Sequence, residues 1–268
     1  ETNDVMFTAK ANQAQYWRLA VLDTFSDEVW KSSTEEKIKP EKIPAGVQTQ
    51  QVNADIELSG LARKYVPSIY STTEVDNDDI DFMQRSVLRT SNKNLDQYKL
   101  SASVPPITLT PDQIENSSGL PPKSVESSQL FPVDFDPSIT STARSIVSEK
   151  SSIYEQVIAL RDFFLDGSFK YDLTADYSEE KQPMKAFLEK RKGFCEQFAA
   201  TYAAMARSVG IPARVVIGFT PGEPDANGKF TVREKQAHSW VEVYLTGFGW
   251  LTVEPTPSGN LPGQAPTN

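Results

Sequence analysis

Gly193-Phe194-Cys195-Glu196-Gln197-Phe198-Ala199-Ala200-Thr201-Tyr202-Ala203-Ala204-Met205-Ala206 is the stretch whose reading decides the fold class. Its apolar positions 195, 198, 199, 202, 205 and 206, continued by Val209, recur at helical spacing. Gly210 supplies a C-terminal stop and Pro212 prevents continuation. The spacing predicts a helix with Cys195 in its first turn, where free N–H groups and the macrodipole favour an anion. A thiolate forms more easily there and is more reactive. Gly193 reads as a turn before the helix that also leaves room for substrate backbone near the thiol.

Working outward, His238, Trp240, Glu242 and Tyr244 alternate with Ser239, Val241, Val243 and Leu245, as a strand requires. Thr246-Gly247-Phe248-Gly249 is a turn, and Trp250 to Glu254 reads as the returning strand, ended by Pro255 and Pro257. Cys195 and His238 are the only residues of their types in the chain. A thiol at a helix start, an imidazole on a strand and a carboxylate on the next strand are what covalent acyl transfer needs.

The hairpin register decides whether Glu254 can join this group. Pairing Leu245 with Trp250 puts Glu254 opposite Val241, on the face away from His238. A three-residue loop with a bulge near Gly249 pairs Leu245 with Gly249 instead. Glu254 then lies opposite Trp240, on the His238 face and diagonal to His238, with side-chain roots roughly 7–8 Å apart. Three-residue loops with a glycine bulge are common, so the second register is expected.

Each residue also has a plainer role. An unpaired cysteine packs as a small hydrophobe, a strand histidine satisfies a backbone carbonyl, and Glu254 can be an edge carboxylate facing solvent. Trp240 and Trp250 are read as sheet-packing aromatics that sit beside the site. One cysteine and one histidine are too few for a structural zinc site, and no metal or cofactor is expected.

The motifs Gly193-Phe194-Cys195-Glu196-Gln197-Phe198-Ala199, Ala206 to Phe219, His238 to Tyr244 and Gly249 to Pro257 resemble the transglutaminase-like superfamily, over about residues 140–257. The similarity is to its bacterial membrane-associated branch, described as cysteine proteases. Residues 16–30 are more weakly similar to the segment before the core in that branch. One departure is that the family usually carries Asp-Pro-Thr where this chain has Glu254-Pro255-Thr256. The resemblance implies a papain-like α+β core and thiol acyl transfer on peptide or carboxamide bonds. Cys195 is then the nucleophile, His238 the base and Glu254 the orienting carboxylate. The Cys195 N–H is an oxyanion donor; no second donor is identified, although Gln197 is close. Peptidase or amidase activity is favoured, with transglutaminase cross-linking open. The alternative is a non-catalytic extracytoplasmic binding module of the same fold; a third reading is a structural domain presenting its β-rich half to a membrane-protein partner.

The rest of the chain bounds these readings. Its 268 residues can hold one large or two ordinary domains. A net charge of −9 without a basic run argues against nucleic acid and anionic membrane as ligands. With one cysteine there is no internal disulfide. Residues 1 to about 15 read as a polar lead-in. Strands are expected near 16–22, 29–30, 52–58, 66–70, 86–90 and 98–104, making a β-rich first region. Asp76-Asn77-Asp78-Asp79 is a solvated turn. Pro105 to Pro137 is Pro- and Ser-rich and reads as a linker.

Helices follow from Asp136-Pro137, from the Ser152-to-Glu155 capping box and from Pro183, then strands over 213–219, 229–234, 238–245 and 250–254. The expected domains are 1–135, β-rich with linker; 136–258, the α+β core; and 259–268, a flexible tail. The chain starts at Glu1, ends in linker composition and contains no stretch of roughly 20 apolar residues. Both ends fit an excised segment, and the resemblance places it on the extracytoplasmic face of a bacterial membrane, in a membrane-anchored parent. A protein or peptide is the expected partner, with cell-wall peptide among the candidates.

Overall fold

In a computed structural model the described residues are 3–33, 36–60, 64–106, 109–115, 117, 120–123, 125 and 135–257. The first half contributes strands β1 (Val5–Ala11), β2 (Trp17–Leu22), β3 (Thr24–Ser26), β4 (Val29–Lys31), β5 (Gln50–Leu58), β6 (Tyr65–Val66), β7 (Thr72–Val75), β8 (Ile80–Met83), β9 (Val87–Thr90) and β10 (Gln97–Val104). Then come α1 (Pro111–Glu115), α2 (Pro137–Val147), α3 (Ile153–Leu165), β11 (Lys170–Tyr171), α4 (Pro183–Lys190), β12 (Lys192–Gly193) and α5 (Cys195–Ser208). Strands β13 (Ala213–Phe219), β14 (Glu223–Pro224), β15 (Lys229–Arg233), β16 (Ala237–Leu245) and β17 (Gly249–Val253) complete the chain.

The α+β core is a four-stranded antiparallel sheet, β17-β16-β13-β2, with helices on one face. Helix α5 is central and almost entirely buried, including six consecutive residues from Thr201 to Ala206. Its alanines let it approach β16 and β13 closely, so Val215, Val241, Val243 and Leu245 pack against it. Helix α3 begins at the expected box: Ser152 Oγ accepts the Glu155 N–H at 3.1 Å, and Glu155 accepts the Ser152 N–H at 3.1 Å. Helix α2 follows an Asp136 cap with Pro137 at its first turn.

The other face of the core sheet meets the first half of the chain. There Trp240, Val216, Val21 and Tyr16 pack with Met83 and Val87. Next along this face is a buried ionic cluster. Glu242 takes both Arg18 terminal nitrogens (2.9 and 3.3 Å) and Arg214 Nε (2.8 Å), while Arg214 reaches Glu41 at 3.4 Å. Glu242 shares the His238 strand face in sequence, but these two guanidiniums occupy it.

The first half is β-rich, yet it does not pair only with itself. The second sheet runs β14-β15-β1-β5-β10-β7, so β1 lies between β5 and the late strand β15. Strand β2 forms the edge of the core sheet through β13, with Trp17 opposite Phe219. The division expected at residue 135 is therefore crossed by strand pairing in both sheets. The residues expected as a polar lead-in contain β1, whose Phe7, Ala9 and Ala11 are buried. The stretch 229–234, expected beside the core strands, leaves them to pair with β1. Of the expected linker, residues 107–108, 116, 118–119, 124 and 126–134 lie outside the described residues, as does the tail from 258. Leu109 is buried in the helical core.

Candidate active site

Phe194 enters α5 in extended conformation (φ −115°, ψ −178°), and Cys195 is the first helical residue. Gln197 Oε1 accepts the Phe194 N–H at 2.9 Å, so this side chain closes the helix start. Gly193 is needed for packing: a Cβ there would lie 2.8 Å from the Phe187 ring and 3.1 Å from Gln197 Cβ. That space is filled by protein.

His238 is the second residue of β16 and its side chain is 9% exposed. Strands β16 and β17 pair with Leu245 opposite Gly249 and Val241 opposite Val253, and Gly249 takes φ +101°. Extending that register by one residue sets Glu254 opposite Trp240, on the His238 face. His238 Nε2 lies 2.5 Å from Glu254 Oε2, and the His238 side chain also hydrogen-bonds Cys195. With Nε2 committed to the carboxylate, Nδ1 is the nitrogen available to the thiol. Glu254 is 4% exposed and just past the end of β17.

Glu254 accepts two further hydrogen bonds. Thr256 donates its N–H to Oε1 at 2.9 Å, and Tyr16 donates its hydroxyl to Oε2 at 3.0 Å. Tyr16 stands edge-on to the His238 ring (centroids 5.8 Å, 75°) and packs on Trp240 at 4.8 Å. Trp240 lies nearly parallel to His238 at 6.4 Å. Trp250 belongs elsewhere: the Arg214 guanidinium sits 3.8 Å over its ring. Sequence reasoning missed Tyr16. The resemblance over residues 16–30 was the available signal, but nothing in it singles out the hydroxyl.

Burial alone would push the His238 imidazole down. The Glu254 charge, the hydrogen bonds to Cys195 and Glu254 and the Cys195 charge outweigh it and hold its pKa at about 10. Burial, then the Glu254 charge, pushes the Tyr16 hydroxyl well above its ordinary value, so it remains a donor. Among the described residues no group of three or more His, Cys, Asp or Glu side chains is placed to hold a metal ion.

A thiol at a helix start, hydrogen-bonded to an imidazole that a buried carboxylate holds, on helices packed against an antiparallel sheet, is an arrangement able to do nucleophilic thiol chemistry. The chain carries a transglutaminase-like core. Residues 140–255 match the model of the transglutaminase-like superfamily, and residues 1–109 match the TgpA N-terminal domain. Its fold is similar to that of the periplasmic domain of TgpA from Pseudomonas aeruginosa, with a TM-score of 0.76 at 21% identity over 95% of this chain and 88% of that one. By sequence, 134 residues (47% of this chain) are 32% identical to the uncharacterized protein YebA of Bacillus subtilis. A further 34% identity over 119 residues (42% of this chain) relates it to a protein-glutamine gamma-glutamyltransferase of Pseudomonas aeruginosa. The matched part spans 18% of the length of either relative. No described helix is long and apolar enough to cross a membrane.

Proposed function

We propose that the chain is a thiol acyltransferase acting on carboxamide or peptide carbonyls of protein substrates at the extracytoplasmic face of a bacterial membrane. The observation that carries this is His238 held between Cys195 and Glu254, with Nε2 at 2.5 Å from the carboxylate. Cys195 Sγ, as thiolate, adds to the carbonyl carbon while the developing oxyanion is met by the Cys195 N–H, which has no acceptor within the helix. The His238 imidazolium gives its proton to the leaving nitrogen, which departs as ammonia or amine and leaves a thioester. An incoming nucleophile then gives its proton to His238 and attacks the thioester, which restores the thiolate–imidazolium pair. Glu254 keeps the imidazolium oriented through both steps, in the place where the family resemblance leads one to expect aspartate.

The residues alone leave the nucleophile open, and the family resemblance favours water. The name of the gamma-glutamyltransferase relative favours an amine, and we take amine transfer as the main reaction, with hydrolysis as the side reaction when no amine is present. The test is incubation of an unfolded glutamine-bearing protein with the chain and a labelled primary amine, counting label incorporated and new N-termini. Incorporation that disappears in Cys195→Ala supports the reading. Incorporation that survives in Cys195→Ala, or thiol alkylation equal in wild type and His238→Ala at every pH, overturns it.

A further inference from the structure

A groove of about 1090 Å³ runs beside the thiol site. Phe194, Glu196 and Gln197, around Cys195, and Ser239, beside His238, belong to its walls. The β3–β4 hairpin and the segment 173–181 form the other sides. Trp30 Nε1 donates to the Ala200 carbonyl at 3.2 Å, fixing the hairpin to α5.

Three independent features point to a ligand. First, six large apolar side chains are exposed among the described residues, and three of them, Val29 (50%), Leu173 (57%) and Ile217 (36%), line this one groove. Ile217 is the only exposed residue of β13. Clustering of exposed apolar side chains in one concavity marks an interaction site. Second, Thr201, fully buried, lines the groove, and its hydroxyl has no hydrogen-bond partner among the described residues. Third, the groove holds the carboxylates of Asp27, Glu28, Asp176, Glu180 and Glu196 against the single cation Lys181. Glu180 is paired with Lys190, whereas Asp27, Asp176 and Glu196 make no ion pair among the described residues. Hydrogen bonds from the Ser178 N–H and hydroxyl hold the Asp176 carboxyl below its ordinary range, so it is charged. Asp27 and Glu28 both take left-handed backbone conformations (φ 53° and 60°) at the hairpin tip, which non-glycine residues rarely adopt.

We propose that this groove seats an extended polypeptide segment that alternates basic and apolar side chains. Its apolar groups cover Leu173 and Ile217 and its cations meet Asp27, Asp176 and Glu196. That this segment belongs to the substrate rests on the acyl-transfer reading above. A basic occupant follows from charge complementarity, in a chain whose net charge is already −9.

The test uses the full chain with Cys195→Ala, so that binding is measured without turnover, and a fluorescein-labelled peptide alternating leucine and lysine. Matched peptides carry glutamate for lysine or serine for leucine. The leucine–lysine peptide should bind with an affinity that falls as salt rises, and both matched peptides should bind at least about tenfold more weakly. Neutralising Asp27, Asp176 and Glu196 together should weaken binding about tenfold, at roughly twofold per exposed charge pair. Leu173→Ser with Ile217→Ser should weaken it independently. A control neutralises Glu57, Glu74 and Asp112, away from the groove, and should bind as the parent does. Equal binding of the lysine and glutamate peptides overturns the proposal, as does a control that loses as much affinity as the groove variant. Selective binding by a chain whose thiol proves inert would retain this inference and remove the acyl-transfer reading. A reactive thiol without peptide selectivity would do the reverse.

Discussion

Replacing Tyr16 by Phe removes one hydroxyl and leaves the ring that packs on His238 and Trp240. The lost bond runs to an ionised acceptor at 3.0 Å, with Tyr16 7% and Glu254 4% exposed, so water has little access to replace it. Hydrogen bonds to charged groups contribute about 1.5–3 kcal/mol. Glu254 keeps the Thr256 N–H on Oε1, but Oε2 is then anchored by His238 alone. The carboxylate, on a side chain one methylene longer than aspartate, regains rotamer freedom where it must hold the imidazolium. If that energy is needed whenever His238 is charged during turnover, the rate falls about ten- to a hundredfold, at about 1.4 kcal/mol per factor of ten. The assay is label incorporation across pH, beside a thermal melt of each protein. Because the Tyr16 hydroxyl stays protonated through the working range, Tyr16→Phe should lower the whole pH–rate profile and leave its alkaline limb in place. A rate within twofold of wild type, together with a melting temperature lowered as a lost hydrogen bond predicts, would make Tyr16 a packing residue and refute the positioning argument.

Glu254→Gln should cost turnover at least a hundredfold with little change in unfolding free energy. Glu242→Gln, on the same strand face, should do the opposite and destabilise by about 3–5 kcal/mol, because it strands Arg18 and Arg214 in the interior; denaturant unfolding and rate measured on both variants separate the roles. The pKa of His238 is raised from about 6.5 to about 10 on folding. Its contribution to stability is therefore complete below about pH 6.5 and is lost as pH rises through about 10. The difference in melting temperature between wild type and His238→Asn should shrink across that window, and a constant difference would remove the linkage. Cleavage between residues 106 and 135 should leave two pieces that co-migrate on gel filtration until denaturant is added, since β1 and β2 pair with β15 and β13; separation without denaturant would contradict the shared sheets.

What could be read in the sequence was what neighbouring residues decide. The periodicity of α5, the Ser152–Glu155 cap, the Pro137 and Pro183 helix starts and the β16–β17 hairpin all depend on contacts within a few residues. The glycine at 249 is enough to choose the register that puts Glu254 on the His238 face. Strand β1 escaped because its pattern is Phe, Ala and Ala, and its partners are β5 and β15, the latter 228 residues later in the pairing of Val5 with Arg233. Tyr16 escaped for the same reason, since its acceptor is 238 positions away. The face of Glu242 was legible, but its guanidinium partners on two other strands were not. The Trp240–Tyr16 packing likewise joins residues whose sequence neighbourhoods are unrelated.

The shared sheets also set an order of events during synthesis. The segment holding β1 and β2 leaves the ribosome well before its pairing partners in β13 and β15, and before the Glu254 carboxylate that Tyr16 contacts. A growing chain can pair β1 with β5, but the other edge of β1 and the ladder of β2 stay unpaired until residues 213–233 arrive. Such long-range pairings make folding slow and leave strand edges open in the interval. The same arrangement withholds the Glu254 carboxylate from every chain stopped before it. A chain stopped before residue 254 carries Cys195 and His238 but no Glu254, so the proposed site lacks its orienting carboxylate until β17 has been passed.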